Sequence, residues 1–157
     1  MSVMNSKNMS GQYIHYGVRE HGMAAIMNGI AATKIYKTYS GTFLSFADYM
    51  KPSLRLAALM KIDPIQVFTH DSIGLGEDGP THQPIEQINM LRLIPNSYVF
   101  RPCDLKETIV CWKEALKIDN APSFICLSRQ NLPQISNKKL VSKNFKGAYV
   151  ISGQKKN

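Results

Sequence analysis

The sequence predicts an α/β fold in which helices cover both faces of a mostly parallel sheet. Short apolar runs rich in β-branched and aromatic residues predict three buried strands, at Ile65 to Thr69, Ser97 to Phe100 and Ser123 to Leu127. A segment with a helical pattern precedes each of these runs. Because short strands that alternate with longer helices form parallel sheets, we expect a three-layer αβα architecture.

Two helical segments lie before the first strand. Glu20 to Thr33 has Ala, Met and Ile at helical spacing, which predicts one helix. Phe43 to Lys61 is also helical in composition, but Pro52 removes a backbone donor in its interior. We therefore expect two short helices there, divided at Pro52.

The later helices carry start and stop signals. Pro84 can open a helix that runs to Leu93 and ends before Pro95. Asp104 and Glu107 have the spacing of a capping box, which predicts a helix from there to about residue 117.

Size and composition indicate one folded domain. The chain has 157 residues, 44% of them apolar and 19% charged, which is typical of a globular protein and excludes disorder. No apolar run reaches the length of a membrane span, and the N-terminus lacks the apolar core of a secretory signal, so we expect a cytoplasmic location. The three cysteines form no CxxC pair, which predicts reduced thiols and no zinc site.

The net charge of +8 is concentrated toward the C-terminus. We expect a flexible segment at 1–11, a folded domain at 12–135 and a basic, partly mobile extension at 136–157. A nucleic-acid surface would interleave basic and aromatic residues on one face, and the extension offers only Phe145 and Tyr149, so we expect no nucleic-acid partner.

The segment 70–84 has the densest chemistry in the chain, with two imidazoles, three carboxylates and three glycines. It follows the first predicted strand, and in open α/β sheets ligands bind outside the carboxyl ends of strands. Residues 74–79 match GxGxxG, but Glu77 and Asp78 would repel a pyrophosphate and Pro80 removes a donor, so a dinucleotide site is rejected. The alternative to a ligand site is an acidic surface loop.

Other candidate site residues each have a structural alternative. His70 and Arg129 follow predicted strands and together suit an anionic substrate, unless the arginine pairs with Glu77 or Asp71. Glu20 opens a helix, where an acid also interacts favourably with the helix dipole.

Three aromatic residues, spaced three apart at a predicted helix start, form either a core stripe or a flat ligand pocket. They are Phe43, Phe46 and Tyr49.

Five motifs along the chain are informative when they are taken together. They are Tyr16-Gly17-Val18-Arg19-Glu20-His21-Gly22-Met23, Gly41-Thr42-Phe43, the His70 to Pro84 segment, Arg101-Pro102 and Ser128-Arg129-Gln130-Asn131-Leu132-Pro133. In these motifs and their order, the chain resembles the pyrimidine-binding domain of transketolase, a thiamine diphosphate enzyme. The resemblance runs from about Tyr13 to Pro133 and implies the parallel αβα fold of that domain.

The resemblance implies a role for each candidate residue. Glu20 matches the catalytic glutamate that hydrogen-bonds the aminopyrimidine ring of the cofactor, and His82 matches a histidine near the reacting carbonyl. Asp78 matches the acid that contacts a substrate hydroxyl. His70 and Arg129 match ligands of the sugar phosphate. The residues that match the aromatic surroundings of the aminopyrimidine are Phe43, Phe46 and Tyr49.

The implied activity is transfer of a two-carbon ketol unit from a ketose phosphate to an aldose phosphate. The diphosphate-binding domain, with its ligands for Mg²⁺ or Ca²⁺, has no counterpart in this sequence, so no metal ligand is named here. We expect the chain to be inactive until such a domain or subunit completes it, and to form a homo-oligomer. It would be an excised piece, a natural fragment or one chain of a split enzyme.

The sequence leaves two alternatives to a transketolase. A non-catalytic interaction module with the same fold would not need Glu20, the aromatic residues or the substrate-binding side chains. A thiamine-dependent decarboxylase or synthase would share the glutamate but not the segments at 70–84 and 128–133.

Overall fold

The computed structural model describes residues 2–135 and 147–149 and contains one all-parallel sheet. The order of its strands is β1-β2-β4-β3. The strands are β1 (Tyr39–Phe43), β2 (Ile65–Thr69), β3 (Tyr98–Phe100) and β4 (Ser123–Cys126). The helices are α1 (Glu20–Ala32), α2 (Ala47–Leu59), α3 (Gln87–Arg92) and α4 (Leu105–Lys117), with 3-10 turns at Leu44–Phe46 and Pro80–His82. The expected α/β fold is confirmed.

Helices lie on both faces of the sheet because successive side chains in a strand point to opposite sides. Phe68 of β2 and Phe124 of β4 belong to a buried core with residues of α1, α2 and α3. Ile65 and Ile125, each an odd number of residues along its strand from these phenylalanines, belong to a second cluster with Ala115 of α4. The layers are therefore α1, α2 and α3, then the sheet, then α4.

Several predicted elements form where the sequence places them. Strand β2 has the predicted bounds, and α1 ends one residue early. The capping box before α4 forms with a variation. Asp104 accepts a hydrogen bond from the Glu107 amide (3.1 Å), whereas the Glu107 carboxylate accepts from the Cys103 amide (2.7 Å) instead of the cap residue's own amide.

Two expectations around residue 43 were wrong. Phe43 ends a strand, β1, that was not predicted, and it does not lie in a helix. Pro52 lies inside one continuous helix, α2. A proline here removes the hydrogen bond to the carbonyl four residues earlier, at Asp48. Both residues are exposed, so the carbonyl without a partner lies on the solvent side and the helix continues.

The third helix and two strands are shorter than predicted. Helix α3 begins at Gln87, and not at Pro84, because the Ile85 amide donates to the Gln87 side chain (2.9 Å) and stays outside the helix. Strands β3 and β4 each lose one predicted end residue.

Within residues 2–135 and 147–149, no helix has both the length and the apolar character needed to cross a membrane. The three cysteines are free thiols, as expected. The predicted basic extension at 136–157 lies outside the described residues, apart from 147–149.

Candidate functional site

The carboxyl ends of the four parallel strands bring the candidate site residues to one edge of the sheet. The last residue of β1, Phe43, is in register with the last residue of β2, Thr69. His70 follows β2 directly, and Arg129 lies three residues after β4, the neighbour of β2. The predicted position of His70 and Arg129 at one edge is confirmed.

An aromatic cluster of five rings, Phe43, Phe46, Tyr49, His70 and His82, forms at this edge. His70 stacks on Phe43 with ring centroids 3.6 Å apart and planes inclined by 20°. Phe43 and Phe46 are nearly parallel, with centroids 5.7 Å apart. His82 contacts Phe46 edge-on at 5.3 Å, and Tyr49 packs beside Phe46 at 6.0 Å. The structure therefore joins the predicted aromatic residues to both predicted histidines.

The aromatic cluster lies at the surface and is not part of the core. Phe43 and Phe46 are half-buried, and Tyr49 is 65% exposed. Of the two interpretations of this stripe, core packing or a surface for a flat ligand, the exposure favours the second. Apolar side chains of α1 and α2, such as Met27 and Leu54, fill the core instead.

Glycines in the segment 70–84 let its backbone approach the residues that follow β4. A Cβ atom on Gly76 would lie 3.3 Å from Nε of Arg129, and one on Gly74 would lie 2.9 Å from Nε2 of Gln130. Gly76 also has φ +106°, a conformation that side chains rarely adopt. Leu75, between the two glycines, is buried to 1% exposure and anchors the segment.

Asp71 forms an ion pair that the sequence did not predict. Its Oδ2 accepts a hydrogen bond from Nε of Arg101 at 2.8 Å, and its amide donates to the carbonyl of Leu127 at 3.2 Å. The suggested pairing of Arg129 with Asp71 or Glu77 was wrong, and Arg129 makes no ion pair with any residue that the structure describes. The sequence does contain one signal for a site role of Arg101, since this basic residue directly follows the predicted strand that ends at Phe100.

The Asp71 ion pair also lies close to a buried thiol. Burial, together with the negative charge of Asp71, raises the pKa of the Cys126 thiol to about 12, although the positive charge of Arg101 opposes the rise. The thiol is therefore neutral and serves as a small apolar side chain at the end of β4.

Glu20 is placed at the same edge by the direction of its helix. Helix α1 ends shortly before β1 begins, so its N-terminus lies toward the carboxyl end of that strand. Glu20 is half-buried, and its carboxyl group makes no hydrogen bond or ion pair with another described residue. The carboxyl group of Asp78, which is exposed, likewise has no such partner. Neither residue directly contacts the aromatic cluster through a hydrogen bond or an ion pair.

Among the residues described, no group of three or more His, Cys, Asp and Glu side chains is arranged to hold a metal ion. The acidic residues of the segment 70–84 are spread out, since Asp71 is buried and paired whereas Glu77 and Asp78 point to the surface.

The fold and site define a class of protein, an α/β domain with an aromatic surface and convergent polar side chains at the carboxyl edge of a parallel sheet. Residues 2–134 match the family model described as the transketolase pyrimidine binding domain. The chain belongs to this family.

Individual relatives agree with this assignment. Transketolase 1 of Aliivibrio fischeri is 54% identical over 149 residues, which cover 94% of this chain and 22% of that protein. A transketolase mutant from Pichia stipitis has a TM-score of 0.91 at 47% identity, covering 99% of this chain and 24% of that one. The chain thus spans about 22% of the length of the curated relatives that it matches.

A more distant relative differs in its organisation. A structure described as a split-gene transketolase in an inactive beta4 tetramer has a TM-score of 0.70 and 25% identity, covering 84% of this chain and 42% of that one.

Proposed function

We propose that this chain is the pyrimidine-binding part of a transketolase, which transfers a two-carbon ketol unit from a ketose phosphate to an aldose phosphate. The observation that carries the proposal is the aromatic cluster, where Phe43, Phe46 and Tyr49 meet His70 and His82 at the carboxyl edge of the sheet. This places flat apolar surface beside groups that can donate and accept protons.

The residues present suit the aminopyrimidine half of thiamine diphosphate. Phe46 and Tyr49 keep accessible ring surface against which a flat heterocycle can pack. The half-buried Glu20 carboxyl has no partner among the described residues, so it is available to hydrogen-bond a ring nitrogen. When bound, the cofactor supplies an electron sink for the two-carbon fragment, while the protein supplies orientation and charge.

The remaining site residues are proposed to bind the sugar phosphate. Arg129 offers two parallel donors to a phosphate and has no acidic partner among the described residues, and His70 adds a third donor. Asp78 accepts from a substrate hydroxyl, and His82, held by Thr81 (2.8 Å between Oγ1 and Nδ1), lies near the reacting carbonyl. A Pichia stipitis transketolase mutant solved with fructose-6-phosphate is 51% identical to this chain, with a TM-score of 0.88, and covers 95% of it.

We propose that a diphosphate-binding domain or partner subunit completes the site and carries the ligands for Mg²⁺ or Ca²⁺. The tetramer of the split-gene relative is described as inactive, which supports an inactive state for this chain alone, and it also supports a homo-oligomer. The proposed setting is the pentose phosphate pathway in the cytoplasm. Residues 12–135 would be the pyrimidine-binding domain, between a flexible segment at 1–11 and a basic extension at 136–157.

The test is ketol transfer from a ketopentose phosphate to an aldopentose phosphate, with thiamine diphosphate and Mg²⁺. We expect activity when the chain is mixed with a separately produced diphosphate-binding segment and none from either part alone. His70→Ala in the mixture should raise KM for the phosphorylated donor. Activity of the chain alone would contradict a half site, and a mixture that binds together without activity would favour the interaction module.

A further inference from the structure

The residue after β2 has an unusual backbone conformation for its type. His70 has φ +57°, in the left-handed region, which a residue with a side chain occupies only at a cost in free energy. This conformation accompanies the stacking of the imidazole on Phe43 at 3.6 Å. Contacts on both sides of His70 must therefore hold the conformation.

On the N-terminal side, the sheet holds His70. Thr69 is the last residue of β2 and is in register with Phe43, so the strand pairing fixes the start of the turn next to the ring on which His70 stacks. The Thr69 hydroxyl also lies 3.0 Å from Nδ1 of His70. These contacts fix one end of the turn but not the direction in which the chain leaves it.

On the C-terminal side, Asp71 ties the chain to two further strands. Its amide donates to the carbonyl of Leu127, just after β4, and its carboxylate accepts from Arg101, just after β3. Asp71 is 9% exposed, whereas the Arg101 side chain is 47% exposed. Breaking the pair would leave a buried carboxylate without its cation, which costs far more free energy than leaving a half-exposed guanidinium without its anion. Asp71 is therefore held within hydrogen-bonding distance of Arg101.

We propose that Asp71 and Arg101 are positioning residues, whose ion pair holds His70 in the left-handed conformation that directs its imidazole onto Phe43 and toward an anionic substrate. Neither residue needs to touch the substrate. The substrate part of this inference rests on the proposed function of His70, whereas the positioning part rests on the contacts alone.

The positioning part can be tested on the chain itself by proton NMR of the histidine rings. A ring stacked on Phe43 has its carbon-bound protons shifted upfield by the ring current, and His70→Gln identifies the His70 signals because they disappear from the spectrum. We expect the upfield shift to be lost in Arg101→Gln, with a folded amide spectrum. The matched control is Arg55→Gln, an exposed arginine of α2, which should keep the shift.

A second variant decides the question if Arg101→Gln does not fold. Asp71→Asn keeps an oxygen that can accept from Arg101 but removes the charge, so we expect a reduced upfield shift in a folded protein. If Arg101→Gln folds, an unchanged upfield shift of the His70 protons in that variant would overturn the proposal. If it does not fold, an unchanged shift in Asp71→Asn would do so.

The functional part is measured in the assembled enzyme. Arg101→Gln should raise KM for a phosphorylated ketose about tenfold, as loss of a charge-assisted hydrogen bond does, with a smaller change for an unphosphorylated ketol donor. A general loss of structure would affect both donors equally. If His70→Ala changes KM equally for the phosphorylated and the unphosphorylated donor, the proposed function of His70 fails, while NMR still tests its positioning. If His70→Ala raises KM mainly for the phosphorylated donor but Arg101→Gln does not, the positioning proposal fails.

Discussion

Replacing Leu75 by alanine should destabilise the whole domain, although Leu75 lies in a connection and not in a helix or strand. The side chain is 1% exposed, so the substitution removes apolar atoms from a fully buried position. Leu→Ala changes in protein cores cost about 2–5 kcal/mol. The flanking Gly74 and Gly76 allow the backbone to relax, so we expect the lower part of that range, about 2–3 kcal/mol.

Urea denaturation followed by circular dichroism measures this effect. With an m-value of about 1.5 kcal/mol/M, the midpoint should fall by roughly 1.3–2 M. The matched control is Ile73→Ala in the same segment, because Ile73 is 63% exposed and its loss should change stability by less than about 0.5 kcal/mol. Equal midpoints for the two variants would refute the view that burial of Leu75 stabilises the domain.

Further predictions concern charge, thiol chemistry and glycine. Burial alone would raise the pKa of Asp63, but hydrogen bonds and charges from Lys37 and Lys34 hold it below its usual value. Asp63→Asn should therefore cost about 1 kcal/mol at pH 7 in thermal or urea unfolding. That difference should begin to shrink as the pH falls below about 3.8, where the Asp63 carboxylate of the unfolded chain becomes protonated, and it should be lost once the pH passes the lower pKa of the folded state. A pH-independent difference would contradict the ion pair. Burial, together with the nearby Glu107, raises the pKa of the Cys103 thiol to about 11. Labelling of Cys103 by a disulfide reagent at pH 8 should therefore be far slower in the native than in the unfolded chain. Equal labelling rates would contradict the raised pKa. Gly76→Ala should destabilise the domain by about 1–2 kcal/mol in urea because of its positive φ and its contact with Arg129. Gly74→Ala should be nearly neutral, because its one close contact is with the end of a flexible glutamine. The opposite order would show that the segment adopts another conformation.

Much of the fold could be predicted because local patterns agree with the tertiary structure. Strand β2 is a continuous apolar run between clear boundaries, and the cap at Asp104 is a local contact that depends on sequence spacing alone. Strand β1 was missed because its sequence, Tyr-Ser-Gly-Thr-Phe, has no strong apolar pattern of its own. It forms through backbone pairing with β2, and nothing within its own five residues indicates that pairing.

The site could be predicted in part for the same reason. His70 and Arg129 follow apolar strands, and parallel strands bring their carboxyl ends together, so their common edge follows from the topology. The ion pair between Asp71 and Arg101 could not be predicted, because it depends on β4 lying between β2 and β3 in the sheet. The order of strands is a long-range property that a single sequence does not display.

The role of Glu20 in the active site is tested by ketol transfer in the assembled enzyme with Glu20→Ala in this chain. We predict loss of thiamine diphosphate-dependent turnover with little change in the urea midpoint, because the Glu20 carboxyl group makes no hydrogen bond or ion pair with another described residue. Glu86→Ala, at an exposed glutamate before α3, should leave turnover unchanged. Near-normal turnover in Glu20→Ala would remove Glu20 from the mechanism and contradict the assignment of this edge of the sheet as half of the active site.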